Sequence, residues 1–471
     1  MSTASRRKSP AIVAGAEEPL AARIARSAAA VSARDLPGEV ATKVKLCLID
    51  FIGCAFEARD LPWSRQAAQL AQRVAGDEAG GATVIGSPDG ASCADAAFAN
   101  AVMGHGLVRE DMHSGSISHL GIVVLPTLLA LAQTRRVGGR DFIAATAVGY
   151  EVGGQIGRAV MDAELARVFR PTGITGPVGA AAAGARLLGL RAEQATSAVA
   201  IGANTVVGFN QWAHTGGSEM FFHAGFAARN AVTAVRLAEL GAFASPSALD
   251  GEAGLFAALR KPSAGSKVEL FRGQPEILSV YHKPVPACNF AQTACQAALR
   301  IARERNCPPD RIASIAVRVP RAGALYPGCD SSGPFEHILQ AKMSIQYNVA
   351  AALIAGGVSE KNFTLLNDTA LRRLVGLTTL EIDDDMTRAY PGRQGGEVEV
   401  RESGGATHRV RLDDVVNASA ADVRGRFRAA TEGVVGTRRA HEIERCIDDL
   451  EGSDDVGRLG ALLGPAGQNT R

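Results

Sequence analysis

Through the first 265 residues the apolar positions recur every three or four residues, the spacing that gathers them on one face of a helix. Residues 17–34 are Ala-rich with that spacing and predict a first helix, broken at Leu36-Pro37-Gly38. Val40, Val44, Leu46, Cys47, Ile49, Phe51 and Ile52 make 39–57 a largely buried helix. Further helices are predicted over 63–75, 92–104, 123–133, 140–161, 176–188, 191–207 and 225–240, with a short strand-like piece at 82–85. Asp141 is a candidate cap for one of them, and Thr172 or Thr175 for another.

Near residue 265 the period changes. Ile312–Pro320, Gly395–Val400 and Thr407–Leu412 alternate apolar with polar, and Glu402-Ser403-Gly404-Gly405 is a hairpin turn signal. Helices are predicted at 291–304 and 336–354. Ser419 and Asp422 form a capping pattern that opens a helix to about 431, and a last helix spans 440–449. The pattern predicts a mainly α fold. It divides into a disordered tail (1–15), an all-helical domain (16–265), a smaller α+β domain (266–412), and helices (413–460) that return to the first domain.

Composition narrows the classes. A chain of 471 residues suits two to three domains, and 46% hydrophobic residues supply a sizeable core. Abundant Gly and Ala with only 5% aromatics point to closely packed helices. A net charge of +2, from 50 basic and 48 acidic residues, gives no global field for nucleic acid or an anionic membrane. No apolar run reaches the ~18 residues of a membrane span. The eight cysteines show no CxxC and no zinc or cluster spacing, which fits reduced thiols in a cytoplasmic protein.

Candidate chemistry concentrates in Gly104–Pro126, GHGLVREDMHSGSISHLGIVVLP, which reads as a polar loop between apolar helices. It holds His105, His113 and His119 with Arg109, Glu110 and Asp111. A second patch, Gly208–Gly225, carries Trp212, His214, Ser218, Glu219 and His223. The glycines at 149, 153, 154 and 157 follow no strand, so they predict helix packing rather than a phosphate loop. The three loop histidines and Asp111 have metal-ligand chemistry, but their spacing matches no recognised metal pattern, and no metal is expected.

Several stretches together resemble the MmgE/PrpD family, which includes 2-methylcitrate dehydratase, cis-aconitate decarboxylase and iminodisuccinate epimerase. They are LIDFIGCAFEA (48–58), the central loop with its following helix, GYEVGGQIGRA, FRPTGITGPVGAAAAGARLLGL, FFHAGFAARNA (221–231), HKPVPACNFAQTACQAAL (282–299) and EHILQAKMSIQYNVAAALIAG (336–356). They run in family order over nearly the whole chain. The resemblance implies a helical domain built from both chain ends and an inserted α+β lid. It also implies a cofactor-independent homodimer with its site between the two.

Site residues carry over unevenly. His105 and Asp111 match the first His and last Asp of the family's H-A-x-D-F-D-D-T/S run, while Val108, Arg109 and Met112 depart from it. His119 matches the family's catalytic-site histidine, and Lys283 the lysine of its K-P-x-P motif. Arg170 replaces a histidine, Met220 replaces a lysine, His223 is kept, and Tyr326 lies about where the lid supplies a tyrosine. The resemblance thus implies His119, Lys283, Asp111 and Tyr326 as catalytic candidates, with Arg170, His113, His105, Arg109 and His223 contacting substrate. His105, His113 and His223 fit structural hydrogen-bonding roles as well.

Family chemistry moves a proton at a carbon beside a carboxylate, which requires a base and cations to hold developing negative charge. A neutral imidazole suits the first task and Arg or Lys the second. Asp111 is expected to orient a histidine through its ring N–H. The expectation is a lyase of the 2-methylcitrate dehydratase kind on a small di- or tricarboxylate. The alternatives are an epimerase or isomerase of a dicarboxylate and a non-catalytic carboxylate binder. A metal hydrolase is the weakest.

Overall fold

The computed structural model describes residues 18–75, 81–206, 208–304 and 307–464. The proposed tail at 1–15 lies outside them. The fold is mainly helical, as the periodicity predicts, with strands confined to short pairs and one four-stranded sheet.

Small residues set the helix spacing. Helix Gly139–Val160 lies against Pro171–Leu187, and a Cβ at Gly179 would sit 2.5 Å from the Gly149 carbonyl oxygen. The glycine run is therefore a packing surface. Helix Gly121–Ala132 is buried along its whole length and forms the middle of the helical layer.

The sheet orders its strands 378–382, 312–319, 396–402, 407–412, the first pair parallel and the others antiparallel. Helix Gln292–Glu304 packs on the last two strands and helix Ile345–Ala355 packs on that helix. The closing helix Ala420–Val435 crosses back onto Gly38–Ala58, close enough that a Cβ on Gly53 would lie 3.0 Å from the Phe427 Cα.

Several boundaries differ from the pattern. Helix Cys93–His105 runs into the supposed loop, so Gly104 and His105 are helical, and the next helix begins at Gly121. The helix predicted from 176 starts at Pro171, whose fixed φ suits the first helical position. Neither Thr172 nor Thr175 caps it; the N-cap residue is Arg170. The helix predicted from 225 starts at Glu219, which puts His223 on it. The single helix predicted over 336–354 breaks at Ser344, whose hydroxyl accepts from the Tyr347 N–H and caps the second piece. Strand Thr378–Ile382 and helix Gly457–Leu462 were not anticipated. Only Ala82–Thr83 of the 82–85 piece is strand.

Candidate active site

The central segment is placed by what its ends are tied to. Helix Cys93–His105 is capped by Ser92 and delivers His105, 1% exposed, at its last position. A tight turn follows, with Val108 at φ 57°. Met112 and His113 then pair antiparallel with Tyr281 and Val280. This ladder brings the segment from 282 to 290 alongside the turn. Lys283 donates to the Val108 carbonyl and Lys342 to the Leu107 carbonyl at 3.0 Å, so two buried ammoniums grip consecutive carbonyls. Val108 and Ile117 (φ 54°) are both β-branched and both left-handed. Such conformations cost on the order of 1–3 kcal/mol each and persist where surrounding contacts impose them.

Glu110 is the hub. Its Oε1 lies 2.5 Å from His105 Nδ1 and 2.9 Å from His119 Nδ1. Burial pushes its carboxyl up, but the two imidazoles outweigh that and hold it well below the usual carboxylate range. Each histidine therefore carries its proton on Nδ1, which the carboxylate accepts. His105 Nε2 then accepts from Arg170 Nη2 at 3.0 Å and touches the Met220 sulfur. Arg170 Nη1 donates to the Tyr326 hydroxyl at 3.3 Å, and Asn210, bonded to Trp212 Nε1, flanks the same hydroxyl. His119 keeps Nε2 without a hydrogen-bond partner among the described residues, and its ring lines the cavity. Burial, aided by Lys283 and His105, lowers the His119 pKa to about 3 despite Glu110, so this nitrogen is an unprotonated base. Burial also lowers Lys283 to about 8, with Arg170 and Lys342 in the same direction and Glu110 and Cys288 opposing.

Other predicted residues lie elsewhere. The Asp111 carboxylate accepts from the Tyr150 hydroxyl at 2.9 Å and faces no histidine; only its carbonyl reaches His119 Nδ1, at 3.2 Å. The acid serving the imidazoles is its neighbour Glu110. His113 is fixed between Ser116 and Glu276, with Nε2 2.6 Å from Glu276 Oε2. Arg109 pairs with Glu57. Neither side chain lines the cavity. His223 stands close behind Arg170 across Gly208, where φ is 103° and a Cβ would lie 2.9 Å from both Arg170 Cβ and His223 Nδ1. Burial first, then Arg170 and His105, lower its pKa to about 4. Lys283 is fully buried behind the wall. Glu110, Lys342, Asn210 and Cys288 went unassigned in the sequence. Glu110 stood in the same polar run, and Cys288 and Lys342 stood within the family-like stretches at 282–299 and 336–356.

The cavity is walled by Val108, Met112, Ile117, His119, Arg170 and Met220 on one side and by Cys288, Phe290, Tyr326 and Met343 on the other. Its volume is about 20 Å³, room for roughly one water. A cleft of about 1000 Å³ is lined by Pro284 and Val285 together with Arg300, Arg303 and Arg426. It contains none of the imidazoles, whereas His119 lines the small cavity. His105, Glu110 and His119 offer three donors within 4.8 Å of one another. In the structure both ring nitrogens approach the same carboxylate oxygen at hydrogen-bond distance.

Comparison with known proteins agrees with this architecture. The MmgE/PrpD N-terminal domain matches residues 22–265 and the MmgE/PrpD C-terminal domain residues 285–451. The chain is 27% identical to the cis-aconitate decarboxylase-like protein oryM of Aspergillus oryzae, over 91% of this chain and 94% of that protein. It is 26% identical to the human cis-aconitate decarboxylase over 92% of each chain. It is 29% identical to the Aspergillus terreus cis-aconitate decarboxylase over 51% of this chain and 50% of that enzyme. With both domains matched in order across the chain, this protein belongs to the MmgE/PrpD family.

Proposed function

We propose that the chain is a lyase acting on a small di- or tricarboxylate, with proton transfer at a carbon beside a carboxylate. The observation that carries this is the relay Glu110–His119, which ends in a free Nε2 on the cavity wall, set beside Arg170 and Tyr326. His119 takes the proton or, once charged beside an anionic substrate, returns it. Arg170 clamps a carboxylate and the charge that develops on it. Lys283, behind the Val108 carbonyl, adds positive potential. Tyr326 donates to a leaving oxygen or to the developing carbanion.

Carbon–carbon cleavage of the kind named for the relatives ranks ahead of dehydration. The cation at Arg170 and the thioether at Met220 both face the cavity in which the substrate would be gripped. Isomerisation and simple carboxylate binding remain the rival readings. A cavity of about 20 Å³ admits no such substrate, so the unit 266–412 must part from the unit formed by 16–265 with 413–460 before binding. No helix among the described residues can cross a membrane. Phe226 and Leu237 stand 42% exposed on one face of helix Glu219–Glu239, and Leu240 and Phe243 85% exposed just beyond it. This apolar strip supports a homodimer, testable by light scattering.

The test uses cis-aconitate and citrate-like acids in deuterated water. Carbon dioxide release that falls about 10²–10⁴-fold in His119→Ala is the expected result. Deuterium exchange without carbon dioxide or alkene formation would favour the isomerase. Binding with no exchange would favour the binder.

A further inference from the structure

Cys288 and Cys329 come from different segments, yet their sulfurs lie 3.4 Å apart, and both are buried. Their backbones are anchored to one frame. The Cys288 N–H donates to the Lys342 carbonyl at 2.9 Å, and the Ile345 N–H donates to the Cys329 carbonyl at 2.9 Å. The short break between helices Ile338–Met343 and Ile345–Ala355 thus holds both thiols face to face. Cys288 also lines the cavity, and Tyr326 lies three residues before Cys329. No mechanism proposed above uses either thiol.

We propose that Cys288 and Cys329 form a reversible oxidation site in the cavity wall, converted by a hydroperoxide to a disulfide that ties the Tyr326 segment to the 288–290 segment. The Cys288 thiolate attacks the peroxide oxygen, breaking the O–O bond and releasing hydroxide or alkoxide. The sulfur becomes a sulfenic acid. Cys329, losing its proton, attacks that sulfur; the S–O bond breaks and water leaves. In sum, two thiols and one hydroperoxide give one disulfide, one alcohol or water, and one water. Closing the bond requires the sulfurs to approach from 3.4 Å to about 2.05 Å.

The order of attack follows from the surroundings. Burial raises the Cys288 thiol, but the hydrogen bond from Cys329, the Phe290 N–H and the charges of Lys283 and Arg170 together bring it below its usual value. Burial, then Cys288 itself, pushes Cys329 up. Cys288 is accordingly the thiol that meets the oxidant, through the cavity, and Cys329 the one that resolves it.

The proposal concerns the same cavity as the lyase reading, but its first readout needs no substrate. The full-length reduced protein is titrated with hydrogen peroxide, alkylated and digested without reductant. A Cys288–Cys329 linked peptide that disappears with dithiothreitol is expected. In Cys329→Ser or Cys329→Ala the link is absent and Cys288 is captured by dimedone as the sulfenic acid; Cys295→Ser leaves the link unchanged. Binding of citrate or cis-aconitate, where found, falls in proportion to the linked fraction and returns on reduction. The proposal is overturned if both thiols remain alkylatable while partly exposed Cys93 and Cys446 oxidise. It is equally overturned if Cys288 passes to sulfinic acid with Cys329 still free, or if the linked form binds the acids as well as the reduced form.

Discussion

A single carboxylate oxygen accepts from two imidazoles at residues 105 and 119, and both rings are thereby held in one tautomer. On the proposed reading, that arrangement makes Glu110 a positioning residue for His119. Glu110→Gln is expected to lower turnover by about 10–100-fold or more, by analogy with carboxylates that orient metal-bound histidines, with little change in substrate affinity. Separate measurement of kcat and KM checks this. Asp111, one residue on, behaves oppositely. Burial, with Asp50 nearby, raises its carboxyl to about 7 despite the Tyr150 hydroxyl, against about 3.9 in the unfolded chain. The stability that the neutral acid contributes is therefore complete below about pH 3.9 and is lost as pH rises through about 7. Asp111→Asn keeps a neutral acceptor for Tyr150. Its unfolding free energy from urea denaturation is expected to match the parent near pH 4 and to exceed it above pH 7, by on the order of 1–3 kcal/mol. A midpoint below the parent at pH 8 would mean that the ionised carboxylate is needed. The sequence places Glu110 and Asp111 side by side and offers no means of choosing between them. The choice is made by the left-handed backbone at Val108, which no periodicity encodes.

At the scale of elements, glycine has two different meanings in this chain. Gly179 faces the Gly149 carbonyl across two packed helices, and a backbone oxygen cannot step aside. Gly179→Ala is expected to destabilise by about 1–3 kcal/mol, because the overpacking exceeds the gain in helix propensity. Gly433, on helix Ala420–Val435, has nothing within 4 Å of where a Cβ would stand. Gly433→Ala is expected to stabilise by about 0.5–1 kcal/mol. Chemical denaturation of both variants tests the pair, since propensity alone would move them in the same direction. The long amphipathic helices were legible in the sequence because burial imposes their period. The break at Ser344 was not, because the residues on either side of it, 338–343 and 345–355, are alike in being largely buried and give no period to interrupt. Strand Thr378–Ile382 was not legible either. It is a short edge strand, mostly exposed, and owes its existence to parallel pairing with Ile315–Val319.

Across the whole molecule, an early and a late helix meet beside the site. Helix Ala420–Val435 sets Phe427 against Gly53, and its Arg426 donates to the Lys283 carbonyl at 2.8 Å and pairs with Asp50. His282 binds the same Asp50 at 3.0 Å. The lysine behind the cavity is thus aimed by a helix some 140 residues later in the sequence (143 for Arg426), a relation that only tertiary structure supplies. Phe427→Ala is expected to cost about 3–5 kcal/mol. Arg426→Ala tests positioning. With Lys283 titrating near 8, its positive charge is present below that pH and is lost above it, so affinity for a tricarboxylate should decline as pH rises through about 8. Lys283→Met should remove that decline and leave a weaker, pH-independent binding. Arg426→Ala lies outside the cavity wall; it should keep the decline but displace its midpoint, because the Lys283 backbone is no longer held. If instead Lys283→Met retains the full pH dependence, the titrating cation is another group and the Lys283–Val108 contact serves the fold alone.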